Sequence, residues 1–307
     1  MLEIKKNEML SRYSTIQIGD VSPNLLIAYN EKDLFEAMNL AKSQGKRIKV
    51  LGNGGNTLIG ETADHLILKY KGATIRVKDT KIVAQAGAYL PKVAQIALEH
   101  ELSGLEWALG IPGTIGGSVI MNAGAFGSEM IDVIESVTAM DREGRMMLIP
   151  SSEIRSGHRW TNLDPEKLTI LAVCLQLRKG DKQTIKLKME KCSLYRKRTQ
   201  PTGYTLGSTF KRYFDSSQDK WISAGYYMDQ CGLKGFRIGG ARFSEIHANF
   251  ILNTGTASYL DVLELMNHAS QKVSDQFGIR LEPEIKLWIS QETQKKYSYL
   301  FRGEGMC

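Results

Sequence analysis

The chain has 307 residues and a formal net charge of +7, from 40 Lys and Arg against 33 Asp and Glu. Hydrophobic residues at 42% and charged residues at 24% are ordinary globular values and exclude a disordered or low-complexity chain. The length suggests about two domains at roughly 150 residues each, and no apolar run approaches the ~20 residues that span a bilayer.

The N-terminal Met1-Leu2-Glu3-Ile4-Lys5-Lys6 has no apolar core behind its charges, so no signal peptide is expected. The first half of the chain alternates strand-like and helix-like stretches. Glu31 to Gln44 places Leu34, Met38 and Ala41 at helical spacing, with Asn30 as N-cap and Gly45 as stop. Arg47 to Leu51, Leu66 to Leu68, Thr74 to Val77 and Ile82 to Gln85 read as short strands. Leu90 to Leu102 reads as a helix, with Pro91 in its first turn and Gly104 beyond its end. Val133 to Met140 and Arg145 to Ile149 form a predicted hairpin around Asp141-Arg142-Glu143-Gly144. Leu168 to Leu177 is an apolar strand, and Lys182 to Arg198 is a helix rich in helix formers. After Gln200-Pro201 the chain becomes Gly-rich and aromatic, then forms a long helix near Ser258 to Phe277 and a strand around Glu284 to Ile289.

Cys174, Cys192, Cys231 and Cys307 form no C-x-x-C pair and suit reduced thiols in a cytoplasm. The positive charge is localised. Between Asp181 and Arg212, nine basic residues face only Asp181 and Glu190, so this window carries the whole excess. Nucleic acid, an anionic membrane or a phosphorylated small molecule could meet such a segment. The window has no interleaved aromatics beyond Tyr195 and no RNA- or DNA-reading motif, so no nucleic-acid partner is expected.

Two glycine clusters carry the functional signal. Gly52-Asn53-Gly54-Gly55-Asn56-Thr57-Leu58 follows a strand, and its glycines let the backbone turn successive N–H groups towards a diphosphate. A tight strand-to-loop turn is the alternative, since this is neither G-x-G-x-x-G nor a P-loop. The second cluster is Gly110-Ile111-Pro112-Gly113-Thr114-Ile115-Gly116-Gly117, followed by Met121-Asn122-Ala123-Gly124-Ala125-Phe126-Gly127. So many glycines carry a large ordering cost and point to a flat or charged ligand lying against the backbone, with a crossing loop inside a tightly packed domain as the alternative. Asn122 adds an amide that suits a carbonyl or phosphate.

Together these stretches resemble the UDP-N-acetylenolpyruvoylglucosamine reductase family, the UDP-N-acetylmuramate dehydrogenases of peptidoglycan precursor synthesis, in its shorter type. The resemblance runs from about Ser14 to Ile289. It is most specific from Gly104-Leu105-Glu106 to Asn122-Ala123-Gly124-Ala125. Further elements are Gly207-Ser208-Thr209-Phe210-Lys211, Gly232-Leu233-Lys234-Gly235, Ile238-Gly239-Gly240, Ser244 to Phe250 and Leu281-Glu282-Pro283-Glu284.

This resemblance implies an α+β chain with an FAD-binding fold of the vanillyl-alcohol-oxidase type. An FAD-binding domain would cover residues 1–195, in subdomains of about 1–70 and 71–195. A C-terminal α+β substrate domain would cover 196–307, with its last strand returning to the active site. Both glycine clusters, with Gly87, would hold FAD. NADPH would reduce the flavin, and hydride would pass from flavin N5 to the enolpyruvyl vinyl ether of a UDP-sugar. Arg159, in Gly157-His158-Arg159-Trp160, would hold the substrate carboxylate as its enolate forms. Ser208 would donate the proton, and Glu284 would polarise the enolic intermediate. Lys211, Arg212, Lys234 and Arg242 are candidates for the substrate diphosphate.

The sequence departs from the family pattern at Asp20, Gly55, His158 and Arg212. His247 has no second ligand at metal spacing, so no metal is expected. A flavin oxidase of the same superfamily and a degenerate FAD- or nucleotide-binding regulator are the alternative readings. The expected protein is a cytoplasmic monomer with small-molecule partners and no membrane or nucleic-acid partner.

Overall fold

The computed structural model describes residues 1–216 and 219–301, so Cys307 lies outside the described residues. The chain divides into two units. The first comprises Met1–Glu8, Ser22–Asn53 and Ala63–Arg196; the second comprises Met9–Val21, Gly54–Thr62 and the chain from Lys197 onward.

In the first unit, Asn30 caps the helix Glu31–Ser43 as expected, its side chain accepting the Asp33 amide at 3.0 Å. Leu34, Met38 and Ala41 pack into one core with Ile48, Leu66 and Leu68. The sheet beside this helix has the order Glu3–Met9, Val21–Ala28, His65–Tyr70, Arg47–Val50. Val21–Ala28 and Arg47–Val50 both run parallel to His65–Tyr70. The continuous apolar runs Leu25-Leu26-Ile27 and Leu66-Ile67-Leu68 suit strands buried on both faces.

A second sheet of the same unit is antiparallel throughout. Its order is Met146–Pro150, Ile134–Asp141, Leu168–Gln176, Lys81–Gln85, Ile75–Lys78. The predicted hairpin turns where expected, because the Asp141 carboxylate accepts the amides of Glu143 and Arg145 at 2.9 and 2.8 Å. The helix from Leu90 ends at Glu99, earlier than its pattern suggests. Glu101 takes a left-handed backbone (φ 57), and Leu102–Ser103 pairs with Arg178–Lys179 as a short strand. The basic helix spans Lys182–Thr199 and buries only Ile185 and Met189, leaving most of its lysines exposed.

The second unit has an antiparallel sheet in the order Thr205–Ser208, Phe250–Asn253, Ala241–Phe243, Arg237–Ile238. The helix Tyr259–Phe277 starts at a reciprocal cap between Ser258 and Asp261 and ends at Gly278 with φ 67. It packs Leu263, Met266 and Val273 into a core with Phe210 and Phe243.

Residues 54–62 fall outside the unit that holds most of the first seventy residues. Thr57–Ile59 pairs in parallel with Lys286–Trp288, and the Gly60 amide donates to the Trp288 carbonyl at 2.9 Å. Residues 9–21 join the same unit: the Thr15 hydroxyl donates to the Thr205 carbonyl at 2.6 Å, and the Asn253 amide to the Ile16 carbonyl at 2.9 Å.

Candidate active site

The glycines of the first unit separate by what a side chain would meet. A Cβ on Gly116 would lie 2.9 Å from the Ala86 Cβ. On Gly87 it would lie 2.7 Å from the carbonyls of Tyr70 and Gly72, and on Gly124 it would lie 2.5 Å from the Ser128 carbonyl. These three serve close backbone packing within the protein. At Gly113 and Gly117 the nearest atoms lie 3.7 and 3.5 Å away, which is ordinary contact. Gly117 is exposed and Gly113 half-buried, so a ligand has room to lie against this backbone.

Thr114 caps the short helix Ile115–Ile120, its hydroxyl accepting the Gly117 amide at 3.3 Å. The same hydroxyl lies 3.0 Å from the place of a Cβ on Gly52, so the two glycine stretches meet at Thr114. Lys69 donates its ammonium to the Gly52 carbonyl. Burial, reinforced by the neighbouring Lys71, lowers the Lys69 pKa to about 8. Sequence reasoning missed Lys69; its signal is a single cation inside the apolar strand His65–Tyr70. An open glycine backbone with a cation beside Gly52 fits a flat anionic cofactor such as FAD.

Arg159 sits in a two-residue turn with His158, between the paired Ser156–Gly157 and Trp160–Thr161. Its φ is 59, the left-handed backbone that tight hairpin turns demand. Asn122 is fully buried, and its amide is spent inside the protein rather than on a ligand. It donates to the Glu129 carboxylate at 2.7 Å and to the Gly157 carbonyl at 3.1 Å, and it accepts the Ile131 amide at 3.1 Å.

Arg196 is a second missed residue, legible in the sequence only as one of many charges on the basic helix. Its guanidinium lies 5.7 Å from the Phe126 ring centre. Its pKa is lowered first by burial and also by the positive charge of Arg159.

In the second unit, Ser208 ends the strand Thr205–Ser208 beside Gly207, which has φ 81 and open space on its Cβ side. The next residue, Thr209, accepts the Glu284 amide at 2.8 Å, and Phe210 bridges to Pro283 in antiparallel sense. Ser208 and Glu284 are therefore brought together by backbone pairing. Asn249 fastens the segment: its side chain accepts the Phe210 amide at 2.9 Å and donates to the Phe210 carbonyl at 2.8 Å. Asn56 holds the other side, donating to the Glu284 carbonyl at 3.2 Å and accepting the Lys286 amide at 2.8 Å. Thr57 and Leu58 continue into the strand paired with Lys286–Trp288, with the Leu58 side chain in the core.

The candidate diphosphate cations have protein partners. Lys211 pairs with Glu282 at 3.3 Å, Lys234 with Asp229 at 2.7 Å and Arg242 with Glu245 at 3.1 Å. Arg212 lies 4.6 Å from the centre of the Trp221 ring. Exposed ion pairs contribute little, so an anionic ligand can compete for these cations. The His247 ring accepts the Asn249 amide at 3.3 Å, and burial lowers its pKa. This gives it a structural place beside the segment that Asn249 holds. A cavity of about 300 Å³ opens beside Asp20, Ser258 and Tyr259 and includes neither Ser208 nor Glu284. Among the described residues, no group of three or more His, Cys, Asp or Glu is placed to hold a metal, and no helix is long and apolar enough to cross a membrane.

Comparison with known proteins adds independent findings. Residues 24–149 match the FAD binding domain model, and residues 200–288 match the model of the UDP-N-acetylenolpyruvoylglucosamine reductase C-terminal domain. A UDP-N-acetylenolpyruvoylglucosamine reductase of Caldanaerobacter subterraneus is 38% identical over 92% of this chain and 92% of its own length. That of a Thermotoga species is 36% identical over 93% of this chain and 94% of its own. The crystal structure of UDP-N-acetylenolpyruvylglucosamine reductase from Thermus caldophilus superposes with a TM-score of 0.79 at 32% identity, covering 94% of this chain and all of that one. The chain belongs to the UDP-N-acetylenolpyruvoylglucosamine reductase family and has its α+β FAD-binding fold.

Proposed function

We propose that this member of the UDP-N-acetylenolpyruvoylglucosamine reductase family is an FAD-dependent UDP-N-acetylmuramate dehydrogenase. It reduces the vinyl ether of UDP-N-acetylglucosamine enolpyruvate, with NADPH as reductant. When bound, FAD reduced by NADPH would supply the hydride. Gly113 and Gly117 offer it open backbone, and Lys69 adds positive charge on the Gly52 side. The neighbouring Asn53 and the stretch from Gly110 to Thr114 complete its surroundings.

Addition of hydride to the terminal carbon of the vinyl ether leaves negative charge on the adjoining carbon and carboxylate. The Arg159 guanidinium pairs with that carboxylate, because its planar fork matches the two oxygens and holds the charge as it spreads into an enolate. The Ser208 hydroxyl then gives its proton to the adjoining carbon, and Glu284 polarises the enolic oxygen beside it. Lys211, Arg212, Lys234 and Arg242 supply positive charge for the substrate diphosphate. In this reading the reaction is cytoplasmic and the chain acts as a monomer.

The observation that supports this reading is the hydrogen bond from the Glu284 amide to the Thr209 carbonyl, which pairs the backbone of Glu284 with the residue that follows Ser208. The test is NADPH oxidation by the purified protein. Loss of NADPH absorbance that requires UDP-N-acetylglucosamine enolpyruvate supports the reading; bound flavin with no such turnover refutes it.

A further inference from the structure

We propose that Asn122 is a positioning residue for Arg159, aiming its hairpin through a buried bond to Gly157 that Glu129 holds in place. The proposal rests on the reading of Arg159 as the carboxylate-binding group.

Asn122 uses both amide hydrogens and its carbonyl at once. One hydrogen goes to the Glu129 carboxylate at 2.7 Å, a charge-assisted bond, and the other goes to the Gly157 carbonyl at 3.1 Å. Its oxygen accepts the Ile131 amide at 3.1 Å. The residue has no solvent exposure, so nothing outside the protein competes for these bonds. Its φ of 40 is a backbone state that Asn tolerates better than other residues with a Cβ.

The hairpin that receives this bond cannot orient itself. Each of its strands is two residues long, and a free hairpin of that size has no stability of its own. Gly157 is the last paired residue before the His158-Arg159 turn. On the other strand, the Thr161 hydroxyl donates to the Ile120 carbonyl at 3.2 Å. One tie at Gly157, beside the turn, and one at Thr161, on the opposite strand, thus join the hairpin to the segment Ile120 to Asn122; its base is held separately by the Asn162 side chain, which accepts the Arg155 amide and donates to the Glu153 carbonyl, both at 3.0 Å. Glu129 is itself fixed: its amide donates to the Asp132 carboxylate at 2.7 Å, and its strand pairs with Gly124. Asn122 therefore holds the hairpin at the pair next to the turn that presents Arg159.

Three variants separate positioning from general support. Asn122→Gly keeps a left-handed backbone and deletes all three side-chain bonds. Asn122→Asp keeps the acceptor for Ile131 but loses both donors and faces Glu129 with a like charge. Glu129→Gln retains an acceptor for Asn122. For the Gly and Asp variants, flavin content and the rate of flavin reduction by NADPH should remain within twofold of the parent. Reoxidation by the enolpyruvyl substrate should slow at least tenfold, with kcat falling more than KM rises. Glu129→Gln should remain within threefold in both steps.

A second readout does not depend on turnover. Amide hydrogen exchange in residues 156–161 should accelerate at least tenfold in both Asn122 variants, with the sheets unchanged. If Asn122→Gly does not fold, Thr161→Val removes the other tie and should give the same local acceleration. Unchanged exchange in 156–161, or equal loss in both half-reactions, overturns the proposal. A parent protein that holds flavin but never turns over would instead defeat the reading of Arg159, while the exchange experiment still tests the tie between Asn122 and the hairpin.

Discussion

The Glu284 amide donates to the Thr209 carbonyl at 2.8 Å, and this bond makes two distant stretches of chain a single local structure. Ser208 precedes Thr209, so the candidate proton donor and the candidate polarising carboxylate lie on paired backbone. Asn249 and Asn56 lock the pair from either side through bonds to Phe210 and Glu284. None of these ties uses the Ser208 hydroxyl, which the reading assigns to chemistry.

Ser208→Ala should leave flavin content and NADPH-driven flavin reduction unchanged. Reduction of the enolpyruvyl substrate should fall on the order of 10²–10⁴-fold, the usual contribution of a positioned general acid. Rapid-mixing absorbance of each half-reaction checks this, and equal loss in both contradicts the assigned role.

Asn249→Ala should destabilise the protein by about 2–3 kcal/mol, because it strands the buried amide and carbonyl of Phe210. The urea midpoint should fall without a change in the denaturant slope.

Gly116 and Gly117 are adjacent but should respond in opposite ways. Gly116→Ala presses a Cβ against Ala86 and should destabilise the apoprotein by about 1–3 kcal/mol. Gly117→Ala meets no such obstacle and lies in a helix, so apoprotein stability should hold or rise by up to about 1 kcal/mol. FAD affinity should nevertheless fall in the Gly117 variant, as measured by flavin fluorescence titration.

Glu61 links stability to pH. Burial alone would raise its pKa, but bonds from Ser290, Thr293 and Tyr259 outweigh that effect and lower it. Its folded pKa therefore lies below the unfolded value of about 4.3. The stabilisation is fully present above that value and is lost as pH falls through the folded pKa. Glu61→Ala should lower the thermal midpoint at pH 7 by several degrees, with the difference from the parent vanishing at lower pH.

What was legible in the sequence followed from local chemistry. Asn30 and the Asp141 turn each announce themselves within a few residues, and each element starts or turns where expected. The glycine stretches stand out as candidates for a ligand-bearing backbone but cannot be sorted in sequence, since Gly116 and Gly117 look alike until Ala86 is placed beside one of them. Asn122 misled for the same reason. An amide next to glycines suggests a ligand, yet Glu129 and Gly157 consume it. The placing of residues 54–62 was hidden because the Thr57–Ile59 strand finds its partner only at Lys286–Trp288, and no short-range pattern encodes that pairing. Lys69 and Arg196 were overlooked because a cation's role depends on what surrounds it in space.

The most direct test of the account is a single anaerobic experiment. The purified flavoprotein is reduced with one equivalent of NADPH, mixed with UDP-N-acetylglucosamine enolpyruvate and followed at the flavin absorbance near 450 nm. The account predicts full return of the oxidised flavin band with formation of one equivalent of UDP-N-acetylmuramate. A flavin that stays reduced in the presence of that substrate, and reoxidises only when oxygen is admitted, would contradict it.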